Sequence, residues 1–234
     1  MGILELSNRL QTLADLVPEG AHFADIGTDH GQLPVWLLLQ GRIQTAIAAD
    51  VRPGPLERAR ATAARHGVLE QVSFRLCDGL SGILPQEADA VTVAGMGGET
   101  IAAILSAAPW TTGGTLLLLQ PMTSAPDLRD FLQQHGYCIH REHLARDQST
   151  IYVTLEVTGG SMPPLTEGER WCGRRESWAD GPLWADYLCQ LTRKLTRELN
   201  GAEQSSKPED LPRRSALRRT LQELNTWKGE LSSW

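Results

Sequence analysis

The sequence predicts an α/β protein with a mostly parallel, seven-stranded sheet, followed by a C-terminal α-helical hairpin. Three observations carry this expectation. Short apolar runs alternate with helical patterns from His22 to about Gln134, the order that gives parallel strands with helices on both faces. The first four of these runs open into loops that hold glycine, an acid or both. Beyond about residue 160 the alternation stops and leucines recur only at helical spacing.

Taken in order, Leu6, Leu10, Leu13 and Val17 step by four, three and four, which predicts an amphipathic helix stopped by Pro18-Glu19-Gly20. His22 to Ile26 reads as the first strand and Leu33 to Gln40 as the helix after it. Thr45 to Ala49 is the second strand, ending in Asp50. Pro53-Gly54-Pro55 opens a helix through Arg65, with Gly67 as its stop. Val72 to Leu76 and Ala90 to Ala94 are the third and fourth strands, and the fourth opens into the loop Gly95-Met96-Gly97-Gly98 before a helix from Thr100 to Ala107. Thr115 to Leu119 is the fifth strand, ending at Gln120-Pro121-Met122, and a helix from Pro126 to Gln134 follows. Tyr137 to His143 and Ile151 to Val157 are joined by the short turn Asp147-Gln148-Ser149, so they pair antiparallel.

Gly159-Gly160-Ser161-Met162-Pro163-Pro164 reads as a linker, which divides the chain into domains 1–159 and 160–234. In the second domain Trp184, Leu188, Leu191, Leu195 and Leu199 form one stripe, and Leu217, Leu221, Leu224 and Leu231 form another in near-heptad spacing. Ser205-Ser206-Lys207-Pro208 separates them, giving a coiled-coil-like hairpin.

Composition narrows the class. The chain of 234 residues carries a net charge of −6, which argues against a protein that simply coats nucleic acid. The charge is uneven, however. Residues 1–159 hold 10 basic and 17 acidic groups, whereas residues 160–234 hold 12 basic and 11 acidic groups. The basic groups of the tail cluster as Arg174-Arg175, Arg193-Lys194-Arg197, Arg213-Arg214 and Arg218-Arg219. Local patches rather than net charge set phosphate affinity, although a solvated helical face gives the same pattern. Four scattered cysteines without a Cys-x-x-Cys pair, and His140 and His143 without a nearby third ligand, argue against disulfides and metal. No apolar run reaches the roughly 18 residues of a membrane span. Met1-Gly2-Ile3-Leu4-Glu5 lacks the pattern of a signal peptide, so a cytoplasmic protein is expected.

In an open α/β sheet, ligands bind beyond the carboxyl ends of the strands, where the strand order reverses. Asp25, Asp50 and Asp78 lie at the ends of three successive strands there. Asp50 suits a grip on ribose hydroxyls, and a helix N-cap is the competing role for each acid. The first loop, Asp25-Ile26-Gly27-Thr28-Asp29-His30-Gly31, lacks the Gly-x-Gly-x-x-Gly spacing of a dinucleotide binder. Its acids repel phosphate and suit a cation. S-adenosylmethionine carries a sulfonium and an ammonium and no phosphate, so the loop favours methyl transfer over hydride transfer. After the fourth strand, enzymes that methylate exocyclic amines of bases carry Asp/Asn-Pro-Pro-aromatic, where this chain has Gly95-Met96-Gly97-Gly98. That substitution favours a ring nitrogen, whose lone pair needs mainly proximity and orientation.

The segments Leu6-Ser7-Asn8-Arg9-Leu10, Ala24 to Pro34, Gly54-Pro55-Leu56, Asp78-Gly79-Leu80, Ala94 to Gly98 and Leu119-Gln120-Pro121 together resemble the bacterial tRNA (adenine(22)-N1)-methyltransferase family, TrmK. The resemblance covers residues 5–157 and continues more weakly through Gly181-Pro182-Leu183 and Asp186-Tyr187-Leu188. It implies a class I Rossmann-like methyltransferase that uses S-adenosyl-L-methionine to methylate N1 of an adenine in the D-arm of tRNA, as a monomer or weak dimer. By position Asp25, Gly27 and Gly31 line the methionine part of the cofactor, and His30 also belongs to the cofactor site. Asp50 holds the ribose, Asp78 and Gly79 the adenine edge, and Val51, Gly95 and Met96 also belong to the cofactor site. Asp29 is the implied catalytic acid. Gln120, Pro121, Arg193, Lys194 and Arg197 are the implied tRNA contacts. Met122 stands where the family has Asn, and Gly31-Gln32 where it has Ala-Tyr. Two further readings of the residues remain, a non-catalytic nucleotide- or partner-binding protein on this scaffold and a methyltransferase for a small molecule.

Overall fold

The computed structural model describes residues 4–177, 181–204 and 210–231. The chain forms two compact units that part between Met162 and Pro163. In the first, helix α1 (Asn8–Leu16) precedes an alternation of strands and helices: β1 (Phe23–Ile26), α2 (Gln32–Leu39), β2 (Ala46–Asp50), α3 (Pro53–Arg65), β3 (Val72–Leu76), β4 (Ala90–Gly97), α4 (Gly98–Ser106), β5 (Leu116–Thr123), α5 (Ala125–Gln134), β6 (Tyr137–Asp147) and β7 (Thr150–Gly159). The seven strands form one sheet in the order β3-β2-β1-β4-β5-β7-β6. Strands β1 to β5 pair in parallel, and β7 runs antiparallel to both β5 and β6.

Burial follows from the residue types. Every residue of β1 and β2 is buried, as expected for central strands covered on both faces. Their alanines, with Ala59 and Ala63 of α3, keep this part of the core thin. The Ser7 side chain caps α1 by accepting the Leu10 N–H, and α1 packs on β6, β7 and α2. Its Leu13 and Ala14, with Val17 just beyond its end, join α2 and β1 in one apolar cluster.

Two strand ends differ from expectation. The segments Gly95-Met96-Gly97 and Gln120-Pro121-Met122 are not free loops but the last residues of β4 and β5. They pair as Ala94↔Gln120, Met96↔Pro121 and Gly97↔Thr123, with register shifts on either side of Met96. Glycine suits such bulges because it tolerates their backbone angles; Gly95 sits at φ +77°. Strands β6 and β7 also run longer than expected, up to a turn at Gln148, which adopts φ +53°.

The second unit holds three α-helices among the described residues, where a two-helix hairpin is expected: α6 (Glu167–Cys172), α7 (Gly181–Glu203) and α8 (Leu211–Leu231). Trp184, Leu188, Leu191 and Leu195 of α7 are buried, as are Leu217, Leu221 and Leu224 of α8 and Cys172 of α6. Helix α6 is too short to show a leucine period. It is held at its N-terminus by a Thr166/Glu169 capping box and by Glu223 of α8, which accepts the Gly168 N–H at 2.8 Å and the Thr166 hydroxyl. A Cβ at Gly168 would lie 2.7 Å from the Trp227 ring, so only glycine allows this crossing. The expected break at Ser205-Ser206-Lys207-Pro208 and the Leu231 side chain lie outside the described residues. No helix among the described residues is long and apolar enough to cross a membrane.

Candidate active site

The site forms where the strand order reverses, at the carboxyl ends of β1 and β4. The chain leaves β1 and turns back sharply, so that the Gly27 and Thr28 N–H groups both donate to the Ala49 carbonyl of β2, at 2.8 and 3.0 Å. Gly27 makes this turn at φ +78°, and a side chain there would overlap the Met96 Cε methyl. Gly31 opens α2 at φ +63°, pressed against Ala59 of α3. The result is a cavity of about 360 Å³, lined by Arg9, Leu10, Asp25, Gly27, Asp29, His30, Gly31, Gln32, Leu33, Asp50, Arg52, Ala94, Gly95 and Met96. That volume lies in the range of small-molecule sites.

Three carboxylates face this space in different electrostatic states. Asp25 is buried, and burial pushes its carboxyl up to about 6, with nearby Arg9 opposing the shift and Asp50 adding to it. Asp50 is also buried; its Oδ1 accepts the Arg52 N–H at 2.8 Å, and its Oδ2 has no hydrogen-bond partner among the described residues. Asp29 is exposed and paired with Arg58 of α3, and a hydrogen bond from that guanidinium holds its carboxyl below the usual range. His30 Nε2 lies 3.4 Å from the other Asp29 oxygen. Two buried acids beside a small cavity favour a cationic occupant, because a cation offsets the cost of burying their charge.

Of the expected site residues, Asp25, Gly27, Asp29, His30, Gly31, Asp50, Gly95 and Met96 come together here. Val51 is exposed at the end of β2, and neither it nor Asp78 or Gly79 lines the cavity. Gly79, at φ +54°, packs against Ile104, which accounts for the glycine without a ligand. Gln120 requires a correction. It is fully buried, its Oε1 accepts from Arg9 Nη1 at 3.0 Å, and its Nε2 donates to Thr154 Oγ1 at 2.8 Å. With its amide spent on these partners it holds Arg9 in place rather than reaching a base. Pro121 is likewise buried within β5.

Arg193, Lys194 and Arg197 belong to the second unit and are exposed on α7. Arg193 and Arg197 border a shallow groove with Thr192, Thr196, Asn225 and Lys228. Lys194 turns elsewhere and lies 5.7 Å from the centre of the Trp171 ring. Most other clustered arginines of the tail are spent on acids: Arg175 on Glu230, Arg213 on Glu198, Arg218 on Glu203 and Arg219 on Glu167.

Arg9, Leu10, Gln32, Leu33, Arg52 and Ala94 line the cavity without having been singled out from the sequence as site residues. Arg9 left one signal, a charge beside the apolar stripe of the first helix. Its guanidinium also lies 5.5 Å from the centre of the Tyr152 ring on β7.

A sheet of this order with an acid-lined cavity at its reversal point defines an S-adenosylmethionine-dependent methyltransferase of the Rossmann-like class. A family profile described as a methyltransferase domain matches residues 6–155. The tRNA (adenine(22)-N(1))-methyltransferase of Bacillus subtilis is 38% identical over 169 residues, which is 72% of this chain and 71% of that protein. The chain belongs to the tRNA (adenine(22)-N1)-methyltransferase family, TrmK. The crystal structure of the Bacillus subtilis m1A22 tRNA methyltransferase TrmK superposes with a TM-score of 0.78 at 30% identity, covering 99% of both chains. A Streptococcus pneumoniae structure in complex with S-adenosyl-L-methionine superposes with a TM-score of 0.77 at 30% identity, covering 96% of this chain and 100% of that one.

Proposed function

We propose that this chain transfers a methyl group from S-adenosyl-L-methionine to N1 of adenine 22 in the D-arm of tRNA, in the cytoplasm. The observation that carries the reading is the cavity itself, with two buried carboxylates inside it, Asp29 at its rim and the side-chain-poor Gly95-Met96 end of β4 beside it. Asp25 suits the cationic methionine part of the cofactor, and Asp50 Oδ2 is the oxygen left for a ribose hydroxyl. Gly27 and Gly31 keep the cavity free of side chains where a ligand must approach the backbone. When bound, the cofactor supplies an electrophilic methyl group.

The remaining work falls to the protein. The target adenine must be exposed before its N1 can be reached, at a cost of a few kcal/mol. N1 uses its lone pair on the methyl, so no general base is required before transfer. The base becomes cationic, and a carboxylate at the rim stabilises that developing charge. Asp29 takes this role. The second unit grips tRNA phosphates through the Arg193/Arg197 groove, which fixes register but reads no base. Leu188, Leu191, Leu195, Leu217, Leu221 and Leu224 are spent on its own core, which supports a monomer or weak dimer.

Incubation with tRNA and cofactor followed by reverse transcription tests the reading, because N1-methyladenine blocks the pairing edge. A new stop at one D-arm adenine is expected. Methyl incorporation without that stop moves the target elsewhere, and incorporation into a small molecule alone overturns the tRNA assignment. Asp29→Ala is expected to lower kcat by about 10²-fold or more, the scale of a lost charge-stabilising group, while S-adenosylhomocysteine binding is largely kept. Equal loss of both reassigns Asp29 to the cofactor.

A further inference from the structure

We propose that Arg58 is a phosphate-binding and positioning residue: it holds Asp29 in the free enzyme and gives it up when an RNA phosphate beside the target nucleotide takes the guanidinium. This rests on the reading of the cavity as an adenine-N1 methyl-transfer site and adds to it a device that prepares the rim for substrate.

Asp29 is the residue best placed to face a cationic base, yet its carboxylate is already paired with a cation. Arg58 donates from Nη2 to Asp29 Oδ1. A carboxylate neutralised in this way gives little to a second positive charge, so the pair must open for Asp29 to act. Among the described residues Asp29 is the only hydrogen-bond partner of that guanidinium. Arg58 is 47% exposed and Asp29 is 62% exposed, so the pair sits in high dielectric, where such bridges are weak. Gly54, one turn earlier on α3, lies beside the guanidinium, since a Cβ there would stand 3.8 Å from Nη1. Arg52, 73% exposed, lies with its Nε 3.7 Å from Asp50 Oδ1 and also acts on Asp29.

A half-exposed guanidinium bound through one nitrogen to a weakly held carboxylate, with no other hydrogen-bond partner among the described residues, is suited to a phosphate, which it binds through two parallel hydrogen bonds. The cofactor carries no phosphate, so the anion that fits is the RNA backbone. Exchange of the Asp29 carboxylate for an RNA phosphate would couple tRNA docking to release of the acid.

The test uses the full-length chain, a tRNA transcript and S-adenosylhomocysteine. Arg58→Gln is expected to raise the KM for tRNA about tenfold and to reduce the slope of log affinity against log salt by about one, as for one lost phosphate contact. It is expected to leave kcat at saturating tRNA and the affinity for S-adenosylhomocysteine nearly unchanged. Arg58→Lys, which keeps the charge and loses the fork, restores part of the KM. Asp29→Asn releases the guanidinium, so it is expected to tighten tRNA binding while lowering kcat. Two results overturn the proposal: Arg58→Gln weakening S-adenosylhomocysteine while the tRNA KM and salt slope stay put, or Asp29→Asn leaving tRNA affinity unchanged or weaker. The binding measurements need no turnover. A wild-type enzyme that binds tRNA but gives no D-arm stop therefore counts against the adenine-N1 reading and leaves the Arg58 result to be judged on its own.

Discussion

Asp25 joins fold to chemistry in a single side chain. It lies within β1, so its backbone is fixed by pairing to Ala48 and Thr92 on either side, and its carboxyl is buried beside the cavity. Burial raises its pKa from an ordinary 3.8 to about 6, so the folded protein holds the proton more tightly than the unfolded chain. The protein without cofactor is therefore expected to lose stability as pH rises from about 4 to about 6, by up to about 3 kcal/mol. The loss persists above that window. Asp25→Asn is expected to flatten this dependence in thermal unfolding. The cofactor's ammonium, which S-adenosylhomocysteine keeps, prefers the ionised carboxylate, so the affinity for S-adenosylhomocysteine is expected to rise through pH 6 in the wild type and not in Asp25→Asn. Asp25, Asp50 and the glycines of the first loop were legible in the sequence because glycines and acids clustered after a strand are unusual. Arg9 was not legible, because its reach to Gln120 depends on where α1 packs, and no local pattern encodes that.

The elements show where local pattern ends. Helix α3 runs from Pro53 to Arg65 as its proline start and glycine stop predict. The ends of β4 and β5 are decided by each other, since Gly97 and Thr123 pair only once both strands lie side by side. Gly98 then passes so close to the Ser124 carbonyl oxygen that any side chain would overlap it, and Ser124 itself takes φ +52°. Helix α5 is anchored to β6 by Arg129 and Glu142, which are buried and bonded through two contacts, Nε to Oε1 at 3.0 Å and Nη2 to Oε2 at 2.5 Å. Leaving one buried charge without its partner costs about 3–5 kcal/mol. Glu142→Leu is expected to show a loss of that size in urea unfolding, and Arg129→Met/Glu142→Leu to recover most of it. A single variant as stable as the wild type would mean that the pair contributes nothing to docking α5.

At the scale of the whole molecule, the charge asymmetry of the sequence takes on a narrower meaning. Twelve basic residues after residue 159 suggest a broad positive surface, but Arg175, Arg213, Arg218 and Arg219 are paired with acids of the same unit. Arg193 and Arg197 have no acidic partner among the described residues, and they share one groove. Arg193→Glu/Arg197→Glu is expected to weaken tRNA binding by about tenfold or more and to lower the salt slope by about two, with S-adenosylhomocysteine affinity unchanged. Arg218→Ala, which removes a surface ion pair, serves as the control and is expected to change stability by under about 1 kcal/mol. Equal effects in the two variants would mean that the tail acts through diffuse charge and not through this groove.

The alternation of strands and helices, the antiparallel closing pair, the acids and glycines of the first loop, and the leucine stripes of the tail can all be read from the order of residues. These are properties of neighbours in the chain: apolar period, glycine at positive φ, and proline at a helix start. The sequence also carried enough of the family's motifs to imply adenine-N1 methyl transfer. Which of those acids share a cavity depends on the folded chain: Asp25, Asp29 and Asp50 meet there and Asp78 does not. The fold likewise buried Gln120 as a support for Arg9 and paired Asp29 with Arg58. Each of these results depends on residues far apart in the chain meeting across the sheet or between helices. Burial and ion pairing act through space, so a linear sequence does not display them.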